Sequence, residues 1–324
     1  MHQPRQYAGM IQHTTSQLPL LLSRDVNTAG DRATFYGGVR RGELVAVVRG
    51  AYVSASGWAN LDRHDRQRLK SAAVNALAAD PLLFSHASAA ALWRLPRAGA
   101  WLQKEHALVP IGGLQSTRLV TRHESGFLSD VAVIDGLNVT GLARTVVDVA
   151  ATHAFGEGVV AADAALHRAQ HPHPDVPLVS ITKDDLLQSL ALLDLRHGSA
   201  RARRTIDFAD GLADRPGESL SRVTMHLAKL PTPELQVVLY GASGRRYIVD
   251  FWWPGCRLIG EFDGEVKYQD PEFLRGRTPH QVLIEEKKRE DDLRAAGYRV
   301  TRWDMATAVS AEKLRTHLMR AGLK

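Results

Sequence analysis

The chain is poor in the residues that stabilise secreted and membrane-spanning proteins. Its single cysteine, Cys256, cannot form a disulfide within the chain, which favours a reducing compartment. No apolar run approaches the roughly 20 residues that a membrane-spanning helix needs. The first residues are polar and lack the basic-then-apolar order of a secretion signal. We therefore expect a cytoplasmic protein with no membrane partner.

The charge balance of the chain is mildly basic. Lysine and arginine total 41 against 35 aspartate and glutamate residues, which gives a formal net charge of +6 and an isoelectric point near 9.5. This balance favours a nucleic-acid partner without excluding other partners. The length of 324 residues predicts two or three domains, and a hydrophobic fraction of 44% is enough to form buried cores.

The order of the predicted elements divides the chain into three regions and indicates an α+β multidomain protein. Residues 1–60 are predicted to form a winged helix-turn-helix domain. Residues 61–205 are predicted to form a mixed α/β middle region, and residues 206–324 an α/β domain with a central mixed sheet. In this reading the first domain would contact DNA, and the last would carry the chemistry.

The N-terminal region is predicted to contain helices followed by a β-hairpin, which is the arrangement of a winged helix. Its predicted elements are two short helices at Leu18–Leu22 and Ser23–Val26, a helix capped by Asp31 and stopped by Gly42, and strands at Leu44–Val48 and Ala51–Val53. Arginines on the second helix and the wing would contact phosphates and base edges; they are Arg32, Arg40, Arg41 and Arg49. The alternative is a small α+β cap with ordinary surface arginines.

Two stretches resemble one protein family. The run from Leu20 to Tyr52, with its ending Gly-Glu-Leu…Arg-Gly-Ala-Tyr, resembles the N-terminal winged-helix domain of the AbiEi family of type IV antitoxins. The stretch from Val139 to Asp148 is similar to part of that family's second domain. The resemblance implies DNA binding, repression of the protein's own operon, and a toxin from a neighbouring gene as partner.

The middle region offers three polar features with a structural and a functional interpretation each. Arg144 and Asp148 are spaced to pair on one helical face, with Thr140 as the predicted cap, and we interpret the pair as structural. The run from His167 to Pro177 is interpreted as a linker rather than a metal site. A basic cluster remains open between a solvated helix face and a nucleic-acid contact; it consists of Arg201, Arg203 and Arg204.

The most informative stretch runs from Asp250 to Asp263, where Pro-Gly separates two apolar strands. A hairpin that pairs Trp253 with Leu258 places Asp250 opposite Glu261, and Asp263 shares the face of Glu261. Because like charges opposite one another destabilise a sheet, these carboxylates require a cation. Mg²⁺ prefers such oxygen ligands. The alternative is a solvent-facing hairpin with scattered acids.

The flanks of this stretch predict a helix, three strands, a helix, a strand and a last helix. Together with its motifs, this order resembles the very-short-patch-repair-like group of the PD-(D/E)xK metal-dependent nucleases; the matching residues are Glu218, Asp250, Glu261, Asp263, Gly264, Arg289, Asp292, Gly297 and Arg302. The resemblance implies that Asp250 and Glu261 bind Mg²⁺ or Mn²⁺, with Glu218 reaching a second ion directly or through water.

One position departs from the pattern of these nucleases. Asp263 stands where many members have a lysine that orients the attacking water or offsets negative charge. The missing cation would then come from Lys267 or, less directly, from Lys287. The catalytic candidates are therefore Asp250, Glu261, Asp263 and Lys267.

The sequence leaves three functions open and favours the first of them. The first is a Mg²⁺-dependent DNA endonuclease that its winged helix directs to DNA. The second is an antitoxin-like transcriptional repressor whose nuclease fold is catalytically inactive. The third is an interaction module that contacts a toxin and cleaves nothing.

Overall fold

The computed structural model is an α+β structure with three sheets in its described part, which confirms the expected fold class. The described residues are 7, 13–14, 18–99, 102–193, 195, 197–213, 215–264 and 278–324. Among the helices of these residues, none combines the length and the apolar character that a membrane crossing requires.

The N-terminal region is a small sheet with one long helix. Its elements are β1 (His13–Thr14), β2 (Pro19–Leu22), a 3-10 turn (Ser23–Asp25), α1 (Ala29–Arg40), β3 (Leu44–Val48), β4 (Ala51–Ser54) and α2 (Ala55–Ala59). The sheet order is β1-β2-β4-β3, so β2 pairs with β4 and not with its neighbour in sequence, β3. The predicted hairpin β3–β4 is confirmed.

Two predictions in this region are wrong. The first short helix is strand β2, where Leu21 pairs with Tyr52 of β4, because a short buried apolar run fits either element and long-range pairing decided it. The cap of α1 is Thr28, whose hydroxyl accepts from the Asp31 amide at 3.1 Å. Asp31 instead lies in the first turn, where its charge complements the helix dipole.

The middle region is a five-stranded sheet covered by helices. Its elements are α3 (Arg63–Leu77), β5 (Leu83–Phe84), α4 (His86–Leu92), β6 (Glu105–Val109), β7 (Val120–Glu124), β8 (Val131–Ile134), β9 (Leu137–Thr140), α5 (Leu142–Thr152), α6 (Phe155–His167), α7 (Lys183–Leu193) and α8 (Ser199–Phe208). The sheet order is β7-β6-β5-β9-β8. The core lies between this sheet and α4, α5 and α6, and Phe84, Trp93 and Val146 are buried in it.

The Arg144–Asp148 pair is buried at the centre of this region. The guanidinium Nε of Arg144 lies 2.9 Å from the Asp148 carboxylate, and both side chains are almost fully covered. Burial raises the pKa of Asp148 to about 6, although Arg144 opposes the shift. The predicted pairing of the two side chains is therefore confirmed, and their burial supports the structural interpretation. The predicted cap Thr140 is wrong, because Gly141 holds the cap position and Thr140 ends β9.

Three histidines stack beside this pair, and the sequence did not predict them. The rings of His86 and His123 are stacked with centroids 3.8 Å apart, and His106 Nδ1 lies 2.9 Å from His123 Nε2. Burial lowers the pKa of all three rings, that of His106 to about 4. The cluster therefore holds neutral imidazoles at neutral pH.

The C-terminal region is a mixed four-stranded sheet between helices. Its elements are α9 (Pro216–Leu227), β10 (Glu234–Tyr240), β11 (Arg246–Trp253), β12 (Leu258–Phe262), α10 (Pro279–Ala295), β13 (Arg299–Trp303), α11 (Met305–Ala308) and α12 (Ala311–Arg320). In the order β10-β11-β12-β13 the first two pairs are antiparallel and the last is parallel. The expected central mixed sheet is confirmed.

The two faces of this sheet pack against different helices. On one face, Phe251 and Trp303 pack with Met225 of α9 and Leu318 of α12. On the other face, a second apolar cluster joins the strands to Leu293 of α10. The sheet therefore separates α9 from α10.

A buried ion pair joins the middle and C-terminal regions. Arg222 of α9 places Nη1 2.7 Å from the carboxylate of Asp163 on α6, and its Nη2 donates to the Phe208 carbonyl at 2.9 Å. The other oxygen of Asp163 accepts from the Asp210 amide at 2.7 Å. Burial raises the pKa of Asp163 to about 6. This pair fixes α9 against α6.

Gly198, just before α8, tests how closely the chain at the start of α8 packs on α5. Its φ is +84°, and an added Cβ would overlap the carbonyl oxygen of Ala151 in α5. Gly112 has a φ of +74° with open space around it, so it is the matched control. We expect Gly112→Ala to lower the free energy of unfolding by about 1 kcal/mol, from backbone strain alone. Gly198→Ala should cost about 2 kcal/mol more, from the overlap. Equal denaturant midpoints for the two variants would contradict this contact.

Candidate nucleic-acid and carboxylate sites

The exposed side of α1 carries two arginines and an aromatic ring. Arg32, Tyr36 and Arg40 follow one another at intervals of four residues, so they share one helical face. Both arginines are exposed, and Tyr36 is 48% exposed. Phe35, which precedes Tyr36 in the helix, is fully buried and anchors the helix. Tyr36 was not among the residues predicted from the sequence, although its spacing from the two arginines places it on their helical face.

The other two predicted DNA-binding arginines differ from each other. Arg41 forms two hydrogen bonds with the Glu43 carboxylate, at 2.7 Å and 3.1 Å. Glu43 also accepts from the Tyr7 hydroxyl at 2.8 Å, so Arg41 belongs to a local polar network. The pKa of Arg41 is raised, chiefly through its hydrogen bond to Glu43. Arg49 is exposed at the turn between β3 and β4.

The hairpin register of the carboxylate stretch is confirmed. Trp253 pairs with Leu258, and the ladder continues to Phe251 opposite Gly260. The recorded pairs end there; the same register continued by one position would set Asp250 opposite Glu261. In the parallel ladder between β12 and β13, Glu261 lies beside Arg302.

Glu218 and Asp250 each hydrogen-bond within the sheet and its helices. Gln236 of β10 donates from Nε2 to the Glu218 carboxylate at 3.2 Å. Gln236 lies beside Asp250, between the pairs Leu235–Phe251 and Val237–Val249. Asp250 Oδ2 accepts from the Phe262 amide at 2.9 Å. The contacts thus form a row from α9 across β10 and β11 to β12.

The sequence predicts a positive charge beside Glu261, and in the structure two arginines supply it. Arg289 of α10 places Nη2 2.8 Å from Oε1 of Glu261, and Arg302 places Nη2 3.2 Å from Oε2. Glu261 is only 8% exposed, so these charges meet in a poorly solvated position. Burial works against the charge of Arg302, but the carboxylates of Glu261 and its neighbours raise its pKa overall.

This arrangement does not fit a divalent metal ion. Within the described residues, no group of three or more histidine, cysteine, aspartate or glutamate side chains is placed to hold one. Both oxygens of Glu261 face guanidinium groups, and Glu218 and Asp250 each use an oxygen for a protein donor. Glu218 lies on α9, whereas Glu261 lies next to α10. These two helices pack on opposite faces of the sheet. A metal would have to displace the arginines.

Asp263 and Lys287 line the same open pocket beside α10. Its other lining residues are Ile284, Glu286, Glu290, Asp291 and Arg302. Lys287 is therefore near Asp263, as its candidacy for the missing cation requires. The second candidate, Lys267, lies outside the described residues.

Comparisons with known proteins give two partial similarities. Uncharacterized protein MT2308 of Mycobacterium tuberculosis strain CDC 1551 / Oshkosh and uncharacterized protein Rv2248 of strain ATCC 25618 / H37Rv are each 40% identical to this chain over 91 residues. The match covers 28% of this chain, and the chain spans only 34% of the length of these curated relatives. No protein-family model matches the chain.

Because Arg302 offsets the charge of Glu261, replacing Arg302 should destabilise the protein more than replacing Arg299 on the same strand. Arg302→Gln removes one of two cations from a poorly solvated carboxylate and should lower the free energy of unfolding by about 2 kcal/mol. Arg299→Gln, on the exposed part of β13, is the matched control and should change it by less than about 0.5 kcal/mol. Chemical denaturation of both variants measures the difference. A similar midpoint for both would mean that Arg302 adds nothing to this site.

Proposed function

We propose that this chain is a DNA-binding transcriptional repressor of the antitoxin type, with an α1 that contacts DNA and a nuclease-like C-terminal region that does not cleave. Its operator would lie in its own promoter. A toxin from a neighbouring gene would be its protein partner, as the resemblance to AbiEi antitoxins implies.

The exposed face of α1 is the observation that carries this proposal. Arginine offers five donors in a planar fork that suits phosphates and guanine edges, and tyrosine adds an amphipathic ring. Arg32, Tyr36 and Arg40 present these groups on one helical face. The order of a 3-10 turn, a helix and a hairpin, with β4 between β2 and β3, supports a winged-helix interpretation. Arg49 at the hairpin turn would add a backbone contact.

The contacts of Glu261 support the proposal that the C-terminal region does not cleave. A carboxylate that already faces two guanidinium groups gains little from a divalent cation, which would first have to displace them. Many of the nucleases that this region resembles have a lysine where this chain has Asp263, and this difference also favours a region that does not cleave.

A metal-dependent DNA endonuclease is the second candidate. The row from Glu218 through Gln236 and Asp250 to the neighbourhood of Glu261 favours it, because these oxygen ligands suit Mg²⁺ or Mn²⁺. This function requires a rearrangement that releases Glu261 from Arg289 and Arg302. The third candidate, an interaction module without DNA binding, accounts for none of the exposed arginines of α1.

The first experiment measures DNA binding by fluorescence anisotropy, with a duplex from the protein's own promoter and a series of salt concentrations. The double variant Arg32→Ala/Arg40→Ala should weaken binding by about tenfold or more. It should also lower the slope of log K against log salt by about 1.8, if both arginines contact phosphates. The exposed pair Lys104→Ala/Arg118→Ala removes equal charge from the middle region and is the matched control. Wild-type affinity and salt slope in the α1 variant would refute DNA contact by α1.

The second experiment tests cleavage. Purified protein is incubated with supercoiled plasmid and Mg²⁺ or Mn²⁺, and we expect the plasmid to remain intact. Cleavage that disappears in both Asp250→Asn and Glu261→Gln would overturn the repressor proposal in favour of the endonuclease. Lys267→Ala in the same assay would then show whether that lysine supplies the missing cation.

A further inference from the structure

An open pocket at the edge of the C-terminal sheet is lined by positive charge. Strand β13 is the edge strand in the order β10-β11-β12-β13. Arginines from three elements line the pocket: Arg294 of α10, Arg299 at the start of β13 and Arg320 at the end of α12. Tyr298 and His317 also line it, and among the described residues no carboxylate does. The pocket therefore attracts anions.

The pocket collects these arginines from both faces of the sheet. Helix α12 packs on one face and α10 on the other. Thr301 Oγ1 of β13 lies 2.8 Å from His317 Nε2 of α12, and Arg294 of α10 donates from Nη2 to the Val300 carbonyl at 3.3 Å. These two contacts tie both helices to the same short stretch of β13. Side chains from α10 and α12 therefore meet at one edge of the sheet.

The guanidinium of Arg299 occupies space that a glycine leaves open. A Cβ at position 322 would overlap Nη1 of Arg299, so any larger residue there would displace this guanidinium. Arg320 lies two residues before Gly322, in the last turn of α12. Arg299 of β13 and Arg320 of α12 therefore both lie at the C-terminal end of α12.

The charges of Arg299 and Arg320 are not offset by the chain. Both side chains are exposed, and within the described residues neither forms an ion pair with a carboxylate. Arg294 differs from them, because its Nη2 lies 2.7 Å from the Glu290 carboxylate. Two guanidinium groups in one pocket thus keep their donors available for a ligand.

The chemistry of the lining favours a phosphate group as the ligand. A phosphate carries close to two negative charges and several acceptor oxygens, so it can accept from more than one guanidinium at once. The planar fork of arginine matches this geometry. A second copy of the chain would bring the same positive edge to the pocket, and the like charges would repel it.

We propose that the pocket at the β13 edge is a phosphate-binding site. Arg299 and Arg320 donate to the phosphate oxygens, and Arg294 adds positive charge from the opposite face of the sheet. The site is separate from Glu261, which lies beside Arg302 further along β13. It does not depend on DNA contact by α1.

The test uses the full chain and isothermal titration calorimetry with inorganic pyrophosphate, at constant ionic strength and without divalent metal. Arg299→Gln/Arg320→Gln should weaken pyrophosphate binding by about tenfold or more. Arg299→Lys/Arg320→Lys keeps the charge but loses the planar fork, so its affinity should lie between those of the wild type and the glutamine variant. Lys104→Gln/Arg118→Gln is the control of equal charge change and should bind as the wild type does. Thermal melting of each variant checks that the fold is intact.

A second probe identifies the source of the phosphate. Fluorescence anisotropy measures binding of a DNA duplex of unrelated sequence to the same variants. Weaker duplex binding by Arg299→Gln/Arg320→Gln, with a salt slope lower by about 1.8, places a nucleic-acid backbone in the pocket. Loss of pyrophosphate binding with unchanged duplex binding assigns the pocket to a small phosphorylated molecule.

Two results would overturn the proposal. In the first, Arg299→Gln/Arg320→Gln binds both probes as the wild type does. In the second, citrate binds as tightly as pyrophosphate and loses as much affinity in this variant, which would assign the pocket to carboxylates. Arg32→Ala/Arg40→Ala should bind pyrophosphate like the wild type. Failure of DNA contact by α1 therefore leaves this site standing, and failure of this site leaves DNA contact by α1 standing.

Discussion

Glu261 and its two arginines connect three elements of the C-terminal region. The glutamate sits on β12 in the middle of the sheet, Arg289 comes from α10, and Arg302 comes from the neighbouring strand β13. A carboxylate with so little solvent around it is costly to ionise without a partner. The two ion pairs meet that cost and at the same time fix α10 and β13 to the centre of the sheet. Packing of Leu293 under the same sheet depends on α10 remaining there.

The same constraint determines what the region can do chemically. In a metal site the carboxylates stay unpaired until the ion arrives, and the ion supplies the positive charge. Here the chain supplies that charge itself, through Arg289 and Arg302. The hairpin register agrees with the sequence-based expectation, but both oxygens of Glu261 already face arginines. This is why the repressor explains the geometry with fewer changes than the endonuclease does.

Much of the C-terminal region could be predicted from the sequence because its signals are local. Pro254 and Gly255 separate two strands, and alternation alone gave the pairing of Trp253 with Leu258. The need for a cation near Glu261 was also readable. Its identity was not, because Arg289 and Arg302 reach Glu261 through tertiary packing, which no spacing rule encodes. Strand β2 was predicted as a helix for a related reason. Three consecutive leucines fit a strand or a helix, and only their pairing with the distant Tyr52 makes them a strand.

The stacked histidines of the middle region give the protein an unusual response to acid. Because burial lowers the pKa values of His86, His106 and His123, their contribution to stability is present above their ordinary value of 6.5. It is lost as the pH falls through their lowered pKa values, which for His106 is about 4. Buried Asp148 and Asp163 act in the opposite direction, since their raised pKa values make the fold bind protons more readily as the pH falls through about 6. Unfolding in this range therefore takes up protons on imidazoles and releases them from carboxyls. The two effects partly cancel. The net number of protons exchanged on unfolding is therefore smaller than the histidines or the aspartates alone would give.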